Sequence, residues 1–405
     1  MLSFDDALKS LLDAALPVVE IRQLPLEACV GRVLAAAQLA RVNVPSLDNS
    51  AMDGYAVRCQ EIAAALASGQ GLPVSQRIPA GTVGEPLQPG SVARIFTGAP
   101  VPPGADAVLM QEECTVIQDS AWVRFARAPR SGENIRRIGE DMRSGAEILP
   151  MGVRLRAQEV ALAAAGGLAQ LPVYRRLRVA LLLTGSELVE PVQPLPPGGV
   201  YDSNRYALRG QLEALGCEVR VAGHVSDNFE ATRAALLELA ANNDLVISSG
   251  GVSVGEEDHV KAAVESIGQL AMWKVAIKPG KPLAFGEING AAKRAWFVGL
   301  PGNPVSSFIT FATLVRPFIL KLQGVAQVAP RRFLLPAGFA RKGDALRTEF
   351  LRARLDAEGR LELFANQSSA VVTSLTWSDG LVHLPPGHSV NPGDLLSFIP
   401  FSEMN

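Results

Sequence analysis

The segment from Asp244 to Asn303 constrains the fold of this chain more than any other. It contains DLVISSGGVSVGEEDHVK, then WKVAIKPGKPLAFG, then WFVGLPGNPVSSF. Each piece has the same physical form: a short apolar run that ends in glycines or a Pro-Gly pair, followed by a helix pattern or a polar turn. Apolar strands whose ends open into side-chain-poor loops beside helix N-termini belong to parallel α/β sheets. In such sheets backbone N–H groups and the positive helix end can approach an anion closely. The lysines sharpen this reading. Only eight of the 38 basic residues are lysine, and three of them fall within Lys274–Lys281, at Lys274, Lys278 and Lys281. Compact ammonium groups suit point contacts to phosphate or another oxyanion.

At 405 residues the chain exceeds one ordinary core, and about 150 residues per domain predicts two to four units. With 48% hydrophobic and 19% charged residues it reads as globular. A net charge of −2 leaves no basic field over the molecule, so duplex nucleic acid is not an expected partner and any anion site must be local. Cys29, Cys59, Cys114 and Cys217 are far apart without CxxC spacing, which predicts reduced thiols and a cytoplasmic setting. Val160–Ala169, the longest apolar run, is far short of the ~20 residues a spanning helix needs, and no membrane association is expected.

The pattern changes character along the chain. Ser3–Leu16 carries apolar residues at Phe4, Ala7, Leu8, Leu11, Leu12 and Ala15, a helical stripe opened by Ser3 with Asp6 three positions on. Leu26–Leu39 is a second helix candidate. From Arg41 to Asp141, Pro and Gly recur between short β-type runs such as Val92–Phe96, Ala107–Met110 and Trp122–Phe125. Leu155–Gly166 returns to helix and is predicted to pack with the first forty residues. Between Arg178 and Gly324 strands and helices alternate. The strands are Arg178–Leu183, Glu218–Val221, Leu245–Ser248, Met272–Ile277, Leu283–Phe285 and Ala295–Val298; the helices are Asn204–Leu215, Phe229–Ala241, Asp258–Ile267 and Val305–Leu322. After Pro330, alternating runs with Gly/Asp turns predict a small β unit. The predicted architecture is therefore a multidomain α/β and β protein. Residues 1–40 and 142–172 form a helical linker unit around an inserted β-rich unit at 41–141; a mostly parallel α/β domain covers 173–324 and a C-terminal β domain 325–405.

Several clusters carry chemistry. In SSGGVSVGEEDH (Ser248–His259), adjacent Gly250 and Gly251 let consecutive N–H groups converge on an anion, with Ser253 adding a hydroxyl and Asp258 opening the next helix, where it also reads as an N-cap. Glu187 of TGSEL sits at another strand end, where a solvated loop residue is an equal reading. Asp227 precedes the helix at 229, and by itself reads as that helix's cap. Carboxylates gathered at the C-terminal edge of one sheet are how Mg²⁺ is held beside phosphate. Pro301 and Pro304 bracket a rigid turn in LPGNP. In the β-rich unit, DNSAMDGYAV, RIFTGAPVP and GENIRRIGED place Asp53, Thr97, Arg136 and Asp141 on polar glycine loops. The histidines have no ligand spacing.

Taken in order, DNSAMDGYAV, TGAPVPPGADAV, GENIRRIGED, TGSEL, SSGGVSVGEEDHVK, KPGKP and GLPGNP resemble the signatures of the molybdopterin molybdenumtransferase (MoeA) family, which includes the gephyrin E domain. The resemblance covers essentially the whole chain. It implies that molybdate and adenylylated molybdopterin are the substrates, with molybdenum cofactor and AMP as products and Mg²⁺ required. It also implies catalytic roles for Asp53, Thr97, Asp141 and Glu187. Arg136, Asp227, Gly250, Gly251, Ser253, Asp258, Lys274, Lys278, Lys281, Pro301, Pro304 and, in NQSSAV, Ser369 would bind substrate, with Glu187 and Asp227 on the metal. A homodimer with a site shared between subunits is implied, as is hand-over involving other cofactor-biosynthesis proteins and apo-molybdoenzymes. Two rivals remain: a molybdopterin adenylyltransferase, whose resemblance would stop at Arg178–Gly324, and a non-catalytic gephyrin-like scaffold.

Overall fold

The computed structural model describes the chain apart from residues 18–19, 118, 120, 224, 226–227, 252–258, 291–292 and 405. At its centre lies a six-stranded sheet. Three strands form its parallel spine: Arg178–Leu183, Leu245–Ser249 and Arg294–Leu300, with Glu218–Val221 added in parallel at one edge. Every residue of Leu245–Ser249 is buried, as is all of Arg178–Leu183 after its first residue, which is why these strands read as unbroken apolar runs. Pro282–Asn289 and Gly268–Lys274 then extend the sheet antiparallel. Helices cover both faces. Leu236, Leu239, Val260 and Val264 pack on one side; Leu208, Leu212 and the helical segment 304–322 pack on the other.

That last segment, Pro304–Leu322, is the one described helix long and apolar enough to cross a membrane, and 89% of its most apolar window is buried inside the protein. It is a core helix. A π-helical turn at Phe311–Val315 interrupts it, and Phe318 packs edge-on against Phe285 and Trp296 with centroids 5.3 and 5.6 Å away.

The N-terminal helix forms at Phe4–Ala14, with Ser3 Oγ accepting from the Asp6 N–H at 3.0 Å as the cap pattern requires. Its packing differs from expectation. Phe4, Ala7 and Leu11 join the core of the central sheet, not the helix at Ala157–Ala165. The apolar positions of Leu26–Leu39 do not make a helix either. A single 3-10 turn, Leu26–Ala28, is followed by Gly31 at φ +78°, and the chain then runs extended, bridging Val33 to Arg154 and Leu34 to Val173. A left-handed glycine ends a helix, and the long-range pairing it permits buries Leu34 in a cluster with Cys29, Leu155, Ala163 and Val173.

Within residues 41–141 a second six-stranded sheet runs in the order 107–110, 54–57, 92–95, 72–78, 122–125, 114–117, with an unforeseen helix at Cys59–Ser68. A third, built mainly from Phe333–Pro336, Thr348–Leu355, Gly380–Leu384 and Leu395–Pro400, lies near the C-terminus. The run expected as one strand at Met272–Ile277 is divided between two sheets. Up to Lys274 it pairs with Pro282–Asn289; Ile277 and Lys278 instead pair in parallel with Thr348 and Glu349 of the C-terminal sheet. The change of sheet falls at Val275–Ala276, and the strand crossing ties the two units by backbone hydrogen bonds.

Candidate active site

Three loops leave the C-terminal ends of the parallel spine together: Thr184–Glu187, Ser249–Gly251 and Pro301–Pro304. They line a cleft of about 950 Å³, with Tyr201–Asn204, Lys278–Pro282, Arg347 and Gln367–Ala370 completing its walls. Gly250 and Gly251 both have positive φ, +89° and +68°. A Cβ on Gly250 would stand 2.9 Å from the Thr184 carbonyl oxygen, and one on Gly251 only 2.5 Å from Val260 Cγ2. The loop is therefore bare backbone by necessity. Asn204, which the motifs did not single out, ties two of the loops: its Nδ2 donates to Ser249 Oγ and to the Gly302 carbonyl, both at 2.8 Å. Asp202 caps the same helix through the Arg205 N–H, and burial raises its carboxyl above the ordinary range despite the amides of Arg205 and Asn204.

The C-terminal unit closes the cleft. The Val305 N–H, at the start of the core helix, donates to the Ser369 carbonyl at 3.0 Å. Behind that loop, fully buried Arg352 donates to Ser374 Oγ (3.2 Å) and the Ser368 carbonyl (3.1 Å), and Gln367 bonds both backbone groups of Arg352. Burial brings the Arg352 guanidinium down to about 10. Ser369 thus lies on the cleft wall, while Arg352 on the strand Thr348–Leu355, and Arg347 just before it, carried no sequence signal because that strand looks like any other alternating run.

Lysines 278 and 281 line the cleft; Lys274 does not, although its cross-strand partner Pro282 does. Lys278 Nζ lies 3.2 Å from Glu349 Oε1 and 3.9 Å from Asp344 Oδ2. Gly250, Gly251, Glu187, Pro301 and Pro304 are all brought together at the cleft. Asp227, Ser253 and Asp258 lie outside the described residues.

The four candidates of the β-rich unit are not among the cleft-lining residues of this chain. Their loops are stitched to one another instead, through Ala51 N–H to the Asn134 carbonyl (2.9 Å) and Gly98 N–H to the Ser50 carbonyl (2.8 Å). Asp53 Oδ1 accepts from the Thr97 amide at 2.7 Å and the Thr97 hydroxyl at 2.8 Å; the amide, then the hydroxyl, hold its carboxyl below the ordinary range. Arg136 sits on a short strand paired with Asn49, and the Asp141 N–H bonds the Val44 carbonyl.

Comparison with known proteins places this arrangement. Residues 2–167 match the MoeA N-terminal region (domain I and II), residues 180–321 a probable molybdopterin binding domain, and residues 335–401 the MoeA C-terminal region (domain IV). The chain belongs to the MoeA family. Over 411 aligned residues it is 39% identical to the molybdopterin molybdenumtransferase of Haemophilus influenzae, covering 100% of each chain. The enzyme of that name from Synechococcus elongatus is 38% identical over 96% of each. The crystal structure of the molybdopterin biosynthesis MoeA protein of Pyrococcus horikoshii OT3 superposes with a TM-score of 0.85 at 27% identity, covering 99% of this chain and 100% of that one. Among the described residues of this MoeA chain no group of three His, Cys, Asp or Glu forms a metal cage. Exposed Glu187, on the cleft wall, fits the sparser Mg²⁺ mode that uses one or two protein oxygens with phosphate and water supplying the rest.

Proposed function

We propose that this MoeA-family chain inserts molybdenum from molybdate into adenylylated molybdopterin and releases AMP, completing molybdenum cofactor synthesis. The observation that carries the reading is the composition of the cleft, where paired glycines, two lysines, an arginine and a serine loop converge at the C-terminal edge of a parallel sheet. These are donors for anions, and both substrates are oxyanions. A volume of about 950 Å³ is at the upper end of the usual small-molecule range and suits a ligand of dinucleotide size.

The Gly250 N–H is taken by the Leu300 carbonyl at 3.1 Å and holds the loop in place. The Gly251 N–H, with Lys278 and Lys281, would hold the phosphate oxygens, and Ser369 would face molybdate or the pterin. Glu187 and Asp227 would hold Mg²⁺, which when bound neutralises charge building on the phosphoanhydride as it breaks. Asp53, Thr97, Arg136 and Asp141 form a second polar surface. We infer that it acts on the cleft of a partner subunit in a homodimer, because within one chain it does not line the cleft.

The decisive experiment supplies adenylylated molybdopterin with molybdate and follows AMP. Release dependent on molybdate is expected, and a folded protein that releases none overturns the reading. Molybdopterin with ATP alone should give no adenylylated product, which separates the chain from an adenylyltransferase.

A further inference from the structure

Two acids stand where an anion site would be expected to exclude them. Glu349, 1% exposed, lies 3.2 Å from the ammonium of Lys278, and Asp344 lies 3.9 Å from it. Asp344 also grips Arg347, whose Nη2 and Nε donate to Oδ2 at 2.6 and 3.0 Å. Lys278 and Arg347 both line the cleft. Each acid is itself fixed from behind. Glu349 accepts from Arg341 Nη2 at 2.8 Å and from the Asp344 N–H at 3.1 Å, and Asp344 Oδ1 accepts from the amides of Leu346 and Arg347. The backbone sets the spacing, because Lys278 and Glu349 are direct partners in the parallel ladder that joins the two sheets.

We propose that Asp344 and Glu349 are positioning residues that hold Lys278 and Arg347 as two fixed cationic points on one wall of the cleft, so that Arg347 is a further contact for the anionic substrate. The proposal rests on the reading of Lys278 as a substrate contact. Three bases, Arg341 included, face two acids, so the cluster keeps a net positive charge toward the cleft. Long, flexible side chains lose rotamer freedom when they bind; carboxylates that already fix their heads remove that loss from the binding step. Glue between units would not need this arrangement: Arg341 alone satisfies Glu349, yet two further cations with half-exposed heads share the same pair of acids.

The test is a pair of double-variant cycles read as KM for adenylylated molybdopterin, with thermal unfolding recorded for every variant. D344N keeps the Oδ1 acceptor for the turn amides and loses the carboxylate facing Arg347. D344N and R347M should each raise KM roughly tenfold with kcat within about twofold, and the double variant should be no worse than R347M alone, because the acid acts through the arginine. E349Q and K278M should show the same non-additivity. E349Q leaves Arg341 without its carboxylate and loses stability, so the Asp344 cycle carries the decision. If D344N leaves KM unchanged, or if the D344N and R347M effects multiply to about a hundredfold, the acids do not position the cations and the inference fails while the reading of Lys278 stands. If K278M and R347M both leave KM unchanged, the cations do not touch substrate, and the reading of Lys278 falls together with the inference.

Discussion

At the scale of single residues, the cleft is a place where missing side chains matter as much as present ones. Gly250 has a carbonyl oxygen 2.9 Å from where a Cβ would sit, and backbone cannot yield as a side-chain end can. Gly250→Ala, at φ +89°, should therefore cost about 1–3 kcal/mol of stability and displace the loop, seen as a lower unfolding midpoint together with a steep fall in AMP release. Lys278→Ala tests the opposite kind of residue. A charge-assisted hydrogen bond contributes about 1.5–3 kcal/mol, so binding of the pterin nucleotide should weaken roughly ten- to a hundredfold, measured by calorimetric titration; unchanged affinity would remove Lys278 from the site. Both residues were legible in the sequence, since glycine pairs and scarce lysines stand out in an arginine-rich chain. Asn204, Arg347 and Arg352 were not. Their importance depends on which carbonyl or carboxylate the fold brings opposite them, and no local pattern records that.

Elements were legible where burial imposed a period. The parallel strands and the helix at Phe4–Ala14 follow their hydrophobic patterns closely, and Ser3 caps the helix as its spacing demands. Leu26–Leu39 failed because pairing with distant residues overrode a helix-compatible pattern, and Met272–Ile277 failed because one run serves two sheets. The way the first helix docks has a measurable pH consequence. His383 of the C-terminal sheet lies against the Phe4 and Phe350 rings, 6.2 and 5.2 Å between centroids. Burial first, and Arg332 second, push its imidazole down to about 4, with Asp5 opposing. The folded state thus favours the neutral ring. The associated stability is fully present above the unfolded value of about 6.5 and is lost as pH falls from there toward 4, up to roughly 3 kcal/mol. Urea midpoints should drop across that window, and His383→Leu should flatten the slope. An unchanged slope in the variant would assign the acid sensitivity elsewhere.

For the whole molecule, the open question is how the β-rich unit reaches the cleft. If the site is shared across a homodimer, Asp53→Ala and Lys278→Ala proteins should each be nearly inactive, since each damages one half of every site. Their heterodimer owns one doubly damaged site and one intact site, so activity should partly return after co-expression. A purified heterodimer as inactive as its parents would place the site within one chain. The order of the three sheets along the chain could be read from composition shifts; the contacts between them could not, because they depend on strand register. One such contact governs how the protein can be made. Phe4 completes its surroundings only with Phe350, 5.1 Å away, and Leu2 bonds Lys274 and Ala276. At ~5–20 residues per second, a ribosome needs roughly 20–70 s to synthesise the partner after the helix has emerged. For that interval the apolar stripe of Phe4–Ala14 has no complete home. Nascent chains halted before Phe311 should therefore leave this helix open to protease and available to chaperones, and chains that include the C-terminal sheet should protect it most fully.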